Sequence, residues 1–262
     1  MGAGCRSSGR LLVEARRARP VDFGGEKVQG ALLRVILFGG TGMVGQGVLR
    51  ECLLDPKVEA VLSVVRRASG SGAGFADRRV KEIVAPDFYD FSAIQGEFAG
   101  YDACFFCLGV SALGMDEAEY RRVTYDITMA AAQALFRANP AMTVVYVSGA
   151  GTNANGRQMW ARVKGETENA LLAMGFRGAY AFRPGAIIPL HGITSKTRLY
   201  RITYAALGPF LPLLLRVFPK WVTTTEQVGR AMLQAGRRGY PKQVLEAVDI
   251  ARASERRTEA RA

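Results

Sequence analysis

Histidine occurs once in this 262-residue chain, at position 191, and cysteine only four times, at 5, 52, 104 and 107. One imidazole and four scattered thiols make neither a disulfide framework nor a zinc framework, and no metal is expected. Cys104 and Cys107 have C-x-x-C spacing, but they fall inside Ala103-Cys104-Phe105-Phe106-Cys107-Leu108. In such a strand residues three apart point to opposite faces, so the pair reads as buried thiols in a reducing compartment, and a cytoplasmic location is expected. Acidic residues are also short, 23 against 35 Lys and Arg, which leaves a net charge of +12. Much of that excess sits in Arg16-Arg17-Ala18-Arg19 and between Arg252 and Arg261, as solvated tails. No aromatic-interleaved basic stripe accompanies it, so nucleic acid is not an expected partner, whereas a small anionic substrate is.

Long apolar runs are missing as well. Residues 1–30 mix glycine, serine and arginine without an apolar core, so a secretory signal is not expected. Arg6 stands where a myristoylation signal needs Ser or Thr. This stretch reads as a disordered leader, with a mitochondrial-type presequence as the alternative for an Arg-rich start. Ala205 to Pro219 is strongly apolar but is broken by Pro209 and Pro212, too short for a membrane span. It reads as a cap over a substrate pocket, and peripheral attachment to a bilayer is the second reading. With 49% hydrophobic residues the chain can bury one sizeable core. The expected organisation is a single domain over 31–250, a cap segment at about 190–220 and a basic tail at 251–262.

Against these absences stands one dense stretch, Arg34-Val35-Ile36-Leu37-Phe38-Gly39-Gly40-Thr41-Gly42-Met43-Val44-Gly45-Gln46-Gly47. A β-branched apolar strand runs into glycines and then into a helix with Val44, Val48, Cys52 and Leu53 on one side. Gly40, Gly42 and Gly45 fit G-x-G-x-x-G, and Gly39 adds an overlapping G-x-x-G-x-x-G. Glycines let a backbone approach a pyrophosphate, and the helix N-terminus beyond them stabilises its charge, so Gly39, Thr41, Gly42, Met43, Val44 and Gly45 are candidate dinucleotide contacts.

Strand and helix then alternate, which predicts an α/β fold with a doubly wound parallel sheet and helices on both faces. The second strand, Val61 to Val65, ends in Arg66-Arg67. An acid about 20 positions past the glycines would hold a ribose 2′-hydroxyl, whereas arginine suits a 2′-phosphate, so NADP(H) is favoured over NAD(H). The alternative is two ordinary surface arginines. After the third strand, Asp87 and Phe88 are placed to meet the adenine. After the fourth come Cys107, Leu108 and Gly109, where a small residue lets the dinucleotide cross the sheet edge. A helix is expected from Glu117 to Asn139. The fifth strand, Thr143 to Val147, delivers Ser148 to the carboxyl edge, where open α/β sheets bind ligands. A helix from Gln158 to Met174 carries Trp160 and Lys164, and a sixth strand ends in Arg183-Pro184-Gly185.

Taken together, Gly39 to Gly45, Cys107-Leu108-Gly109, Arg122-Val123 with Asp126, Val147-Ser148, Val163-Lys164-Gly165-Glu166 and Phe182-Arg183-Pro184-Gly185 resemble the short-chain dehydrogenase/reductase superfamily. The likeness spans about Leu32 to Ile250 and is to extended and atypical members. It points to the Tat-interacting-protein oxidoreductase-like branch and to bacterial proteins called nucleoside-diphosphate-sugar epimerases. The resemblance implies a Rossmann fold, a bound nicotinamide dinucleotide with Pro184 and Gly185 among its contacts, and a monomer or homodimer. It places Ser148 and Lys164 at the catalytic serine and lysine positions, with Lys164 also holding the nicotinamide ribose. The superfamily's tyrosine, four residues before the lysine, is replaced here by Trp160. An indole N–H cannot titrate near neutral pH. His191 and Tyr125 are then the candidate replacement proton donors. Two functions follow: an NADP-preferring oxidoreductase or epimerase-like enzyme, or a non-catalytic NADPH-binding regulator that binds a protein partner.

Overall fold

The computed structural model describes residues 32–68, 76–193 and 221–255. The expected leader with Cys5, the Ser69 to Gly74 connection, the basic loop of Lys196, Thr197, Arg198 and Arg201, and the apolar Ala205 to Pro219 all lie outside the described residues.

Seven parallel strands form the central sheet. They are β1 (Leu33–Phe38), β2 (Val58–Val65), β3 (Val80–Val84), β4 (Ala103–Phe106), β5 (Thr143–Val147), β6 (Gly178–Arg183) and, after two short strands described below, β9 (Val244–Glu246). Their spatial order, β3-β2-β1-β4-β5-β6-β9, reverses direction next to β1. That reversal opens a crevice at the carboxyl ends of β1 and β4, where Phe38 lies beside Phe106 in register. β4 and, apart from half-buried Arg34, β1 are apolar and buried because both faces of the sheet are covered.

The two faces differ in what covers them. On one lie α1 (Met43–Leu54), α5 (Thr225–Arg238) and α6 (Ala247–Glu255), with Val48, Cys52, Val228, Met232 and Ile250 packed against Val35, Leu37 and Phe105. On the other lie α2 (Glu117–Arg121), α3 (Ile127–Ala138) and α4 (Met159–Ala173), and a core of Phe38, Phe88, Phe91, Phe98 and Phe106. The single expected helix from Glu117 to Asn139 is interrupted by a π-helical turn at Arg122–Asp126. Cys104 faces the second core and Cys107 packs against the first, as strand alternation requires. Two further strands, β7 (Ala186–Ile188) and β8 (Val222–Thr224), pair in parallel beyond β6. The segment expected as a basic tail enters α6 as far as Glu255. None of the described helices is long and apolar enough to cross a membrane.

Candidate functional site

The glycine turn is shaped by the backbone that crowds it. Gly39 has φ +79, and a Cβ there would stand 2.8 Å from the Cys107 carbonyl. A Cβ on Gly45 would overlap the Gly39 carbonyl oxygen. Two strand ends and the first turn of α1 therefore meet at backbone distance, which only glycine permits. The Gly42 N–H donates to Gly39 O at 2.9 Å and closes the turn. Helix α1 begins with no side-chain cap and no acidic residue in its first turn. Thr41, Met43 and Val44 are half-buried around that N-terminus, and the Thr41 carbonyl is held by Gln46 Nε2 at 3.0 Å. Uncapped N–H groups at the start of a twelve-residue helix favour an anion.

Around the turn, Arg66 and Arg67 follow β2 directly, exposed and without a hydrogen bond or ion pair among the described residues. Asp87 is exposed and accepts the Tyr89 N–H at 2.8 Å, an Asx turn that leaves its second oxygen open. Phe88 is a core residue instead: its ring sits edge-on to Phe38 at 6.2 Å, so only its backbone lies at the edge. Cys107 and Leu108 are half-buried beside Gly39, and a Cβ on Gly109 would meet open space. Gly185 is glycine for a different reason, since a Cβ there would overlap the Trp221 carbonyl ahead of β8.

The second half of the site is built by β5 and α4. Ser148 is buried at the end of β5, with its N–H on Phe182 O at 2.7 Å. Its Oγ lies 3.0 Å from Thr152 Oγ1, and Thr152 Oγ1 donates to Gly149 O at 2.8 Å. Thr152 has a single hydroxyl proton, so with that proton on Gly149 the Ser148 hydroxyl donates to Thr152 and turns its lone pairs outward. The loop is pinned to β6 by Ala150 N–H on Pro184 O, at 2.9 Å. Trp160, in the first turn of α4, is half-buried, and a Cβ on Gly151 would lie 3.5 Å from its ring. One helical turn later Lys164 Nζ sits 5.4 Å from the centre of the Tyr146 ring. Tyr146 precedes Ser148 by two residues on β5 and so points to the same side of the sheet. The structure thus gathers Ser148, Thr152, Trp160, Lys164 and Tyr146 in one place.

Lys164 has no hydrogen bond or ion pair among the described residues. Glu168, one turn on, is engaged by Arg183 through Nε at 3.0 Å and Nη2 at 2.5 Å. Burial pulls the Lys164 ammonium down to about 8, against a smaller upward pull from Glu168. The Tyr146 hydroxyl is buried without a hydrogen-bond partner among the described residues, and burial pushes it far above the usual phenol range.

The two candidate replacement donors are held elsewhere. His191 Nε2 meets Glu226 Oε2 at 2.8 Å, and Glu226 pairs with Arg230, which also reaches Glu51 on α1. That network belongs to the α1–α5 layer. Tyr125 lies under the Arg121 guanidinium at 4.2 Å, and Arg121 is paired with Glu166. Neither residue is brought to Lys164 or Ser148. Thr152 and Tyr146 were missing from the sequence-based site. A hydroxyl four residues past a strand-end serine, and an aromatic two residues before it on the same strand, were the available signals.

No family model matches the chain. It is 27% identical over 214 residues to the mitochondrial protein fmp52 of Emericella nidulans, covering 78% of this chain and 88% of the relative. It is 30% identical over 161 residues to the mitochondrial protein fmp52 of Aspergillus fumigatus, covering 60% of this chain and 67% of the relative. Both names overturn the expected cytoplasmic location. Buried reduced thiols do not separate one reducing compartment from another. Among solved structures, an oxidoreductase of the short-chain dehydrogenase/reductase family from Burkholderia thailandensis matches with a TM-score of 0.62 at 17% identity, over 87% of this chain and 96% of that one. The doubly wound fold is therefore that of the short-chain dehydrogenases.

Proposed function

The chain belongs to the Fmp52 family, and on that premise we propose that it is an NADP(H)-preferring oxidoreductase or epimerase-like enzyme of the short-chain dehydrogenase type. The observation that carries this reading is the glycine cradle, in which a side chain at Gly39 or Gly45 would collide with backbone while α1 presents uncapped N–H groups. Such a cradle fits a pyrophosphate. Arg66 and Arg67, which have no ion pair among the described residues, fit a 2′-phosphate. Lys164 and Ser148 are suited to the nicotinamide ribose and to a substrate oxygen, and the dinucleotide, when bound, supplies or accepts hydride there. Trp160 offers an apolar surface in place of a titrating phenol. Kinship with the Tat-interacting-protein oxidoreductase-like branch, a mitochondrial location like that in the relatives' names, and a small anionic substrate belong to the same reading.

A thermal-shift titration with NADPH, NADP⁺, NADH and NAD⁺ tests it, because a ligand that binds only the native state raises the melting temperature. The expected result is a rise with the phosphorylated pair, abolished in Gly42→Asp and reduced in Arg66→Ala. No rise with any of the four removes the reading. The Trp160 replacement favours a second reading, a non-catalytic NADPH-binding regulator of a protein partner. It requires partner affinity to differ between the NADPH and NADP⁺ forms.

A further inference from the structure

We propose that Lys164 is itself the proton donor of this site, delivering a proton from Nζ to the oxygen of a carbonyl substrate as hydride reaches the carbonyl carbon. This rests on the dinucleotide-binding reading above and adds to it a substrate class, aldehydes and ketones.

The argument is one of elimination within a defined geometry. Trp160 cannot titrate in the useful range. Tyr146 has a hydroxyl sealed in the core, and its proton is held there by burial. His191 is bound to Glu226, and Tyr125 is covered by Arg121. Ser148 spends its proton on Thr152 and offers lone pairs. Among the described residues that leaves Lys164, half-buried on the side of β5 that also carries Ser148, with its ammonium over an aromatic face.

Among the described residues, the elements packed against α4 leave Lys164 without a carboxylate of its own. From β5 comes Tyr146; from β6 comes Arg183, which occupies Glu168. From α2 and the π-helical turn come Tyr120, buried, and Arg121, paired with Glu166. Arg122 and Asp126 on that turn are exposed, and Arg137 on α3 donates to Gln95. A lysine salt-bridged in a protein keeps its proton; this one is placed to give it up, and its downward shift to about 8 agrees with that placement.

The step balances. The carbonyl carbon gains hydride, supplied by a reduced nicotinamide as co-reactant, and the C=O π pair moves onto oxygen. That oxygen takes the Nζ proton to become a hydroxyl, the N–H bonding pair stays on nitrogen as a neutral amine, and water reprotonates the amine for the next turnover.

The test combines three readouts on the full-length protein, wild type and the variants Lys164→Arg and Lys164→Met. Trace acetic anhydride labelling across pH 6–11, read by peptide mass spectrometry, is expected to show Lys164 of the free protein titrating near pH 8. Lys81, whose Glu97 partner raises it, titrates later. Thermal shift with NADPH is expected to persist in Lys164→Arg. Oxidation of bound NADPH by a panel of an aldehyde, a ketone and a quinone is expected to fall above about pH 8 in the wild type. Both variants are expected to lose at least about a hundredfold in that rate, as for a missing acid.

A Lys164 that titrates in the ordinary lysine range overturns the proposal. So does Lys164→Arg with wild-type oxidation, the mark of a positioning charge only, or bound NADPH that none of the three carbonyls oxidises. Absence of any NADPH shift in the wild type fells the dinucleotide reading and this proposal with it. The labelling result tells that failure apart from the failure of the proton donor alone.

Discussion

The two faces of the sheet differ in one charge: both hold a buried carboxylate paired with arginine, but the α3–α4 face also withdraws a cation that has no carboxylate to itself among the described residues. On the α1–α5 face Glu51 is 0% exposed, yet Arg50 reaches it at 2.5 Å and Arg230 at 3.0 Å, while Asp55 meets Arg237 at 2.6 Å. On the α3–α4 face Lys164 is partly withdrawn from water without a carboxylate of its own, because Arg183 takes Glu168. Burying a charge is costly unless a partner offsets it, so the first face uses its charges to lock two helices together. The second holds a charge whose loss the fold would tolerate. One arrangement is structural and the other is fit for chemistry.

The largest effect that separates them is expected from Arg237→Ala, which takes a guanidinium from buried Asp55 and should cost about 3–5 kcal/mol in urea unfolding. Lys164→Met on the opposite face should leave stability unchanged or raised, since it removes a desolvated charge; equal losses in the two variants would erase the contrast. A smaller cost, about 1–3 kcal/mol, is expected for Gly45→Ala, which forces a Cβ into the Gly39 carbonyl, and the same variant should lose its thermal response to NADPH.

A pH window sharpens the comparison further. Lys164 is drawn down to about 8 in the folded protein from an unfolded value of 10.5, so between those values the unfolded chain binds more protons and stability rises with pH. The penalty of holding Lys164 charged is present below pH 8 and is lifted toward pH 10.5. Wild-type unfolding free energy should therefore climb relative to Lys164→Met across that interval; a flat difference would mean that the lysine is ordinarily solvated. The smallest effect belongs to His191→Ala, under about 1 kcal/mol for a partly exposed pair. The Glu226 carboxyl is held below the usual range first by the His191 hydrogen bond, so its contribution is present above pH 4.5 and fades as pH falls below it. NADPH response should be unchanged in this variant.

The parts of this molecule that local pattern dictates are legible in the sequence. β5 runs over Thr143–Val147 as its β-branched run implies, and the glycine turn joins β1 to α1 as its spacing requires. Helix α5 is absent from the sequence-based expectation although its start is written in the sequence: Thr224 and Gln227 form a capping box, and Val228, Ala231, Met232 and Ala235 follow at helical spacing. The three-residue strands β7, β8 and β9 are too short to show an alternation. The candidate site was half legible. Ser148 follows from its strand end and Lys164 from the family resemblance, but the engagement of His191 by Glu226, 35 residues away, and of Glu168 by Arg183 are tertiary pairings with no local signature. Only those pairings show which candidate proton donors are occupied. The π-helical turn at Arg122–Asp126 likewise has no Pro or Gly to announce it.

Isothermal titration of NADPH into the wild type and into Gly45→Ala tests the central claim most directly, that the glycine turn is a dinucleotide cradle. Saturable one-site binding in the wild type, weakened at least about tenfold with NADH and lost in Gly45→Ala although that variant remains folded, is the predicted result, tenfold being about 1.4 kcal/mol. Undiminished NADPH binding in folded Gly45→Ala, or none in the wild type, would contradict it.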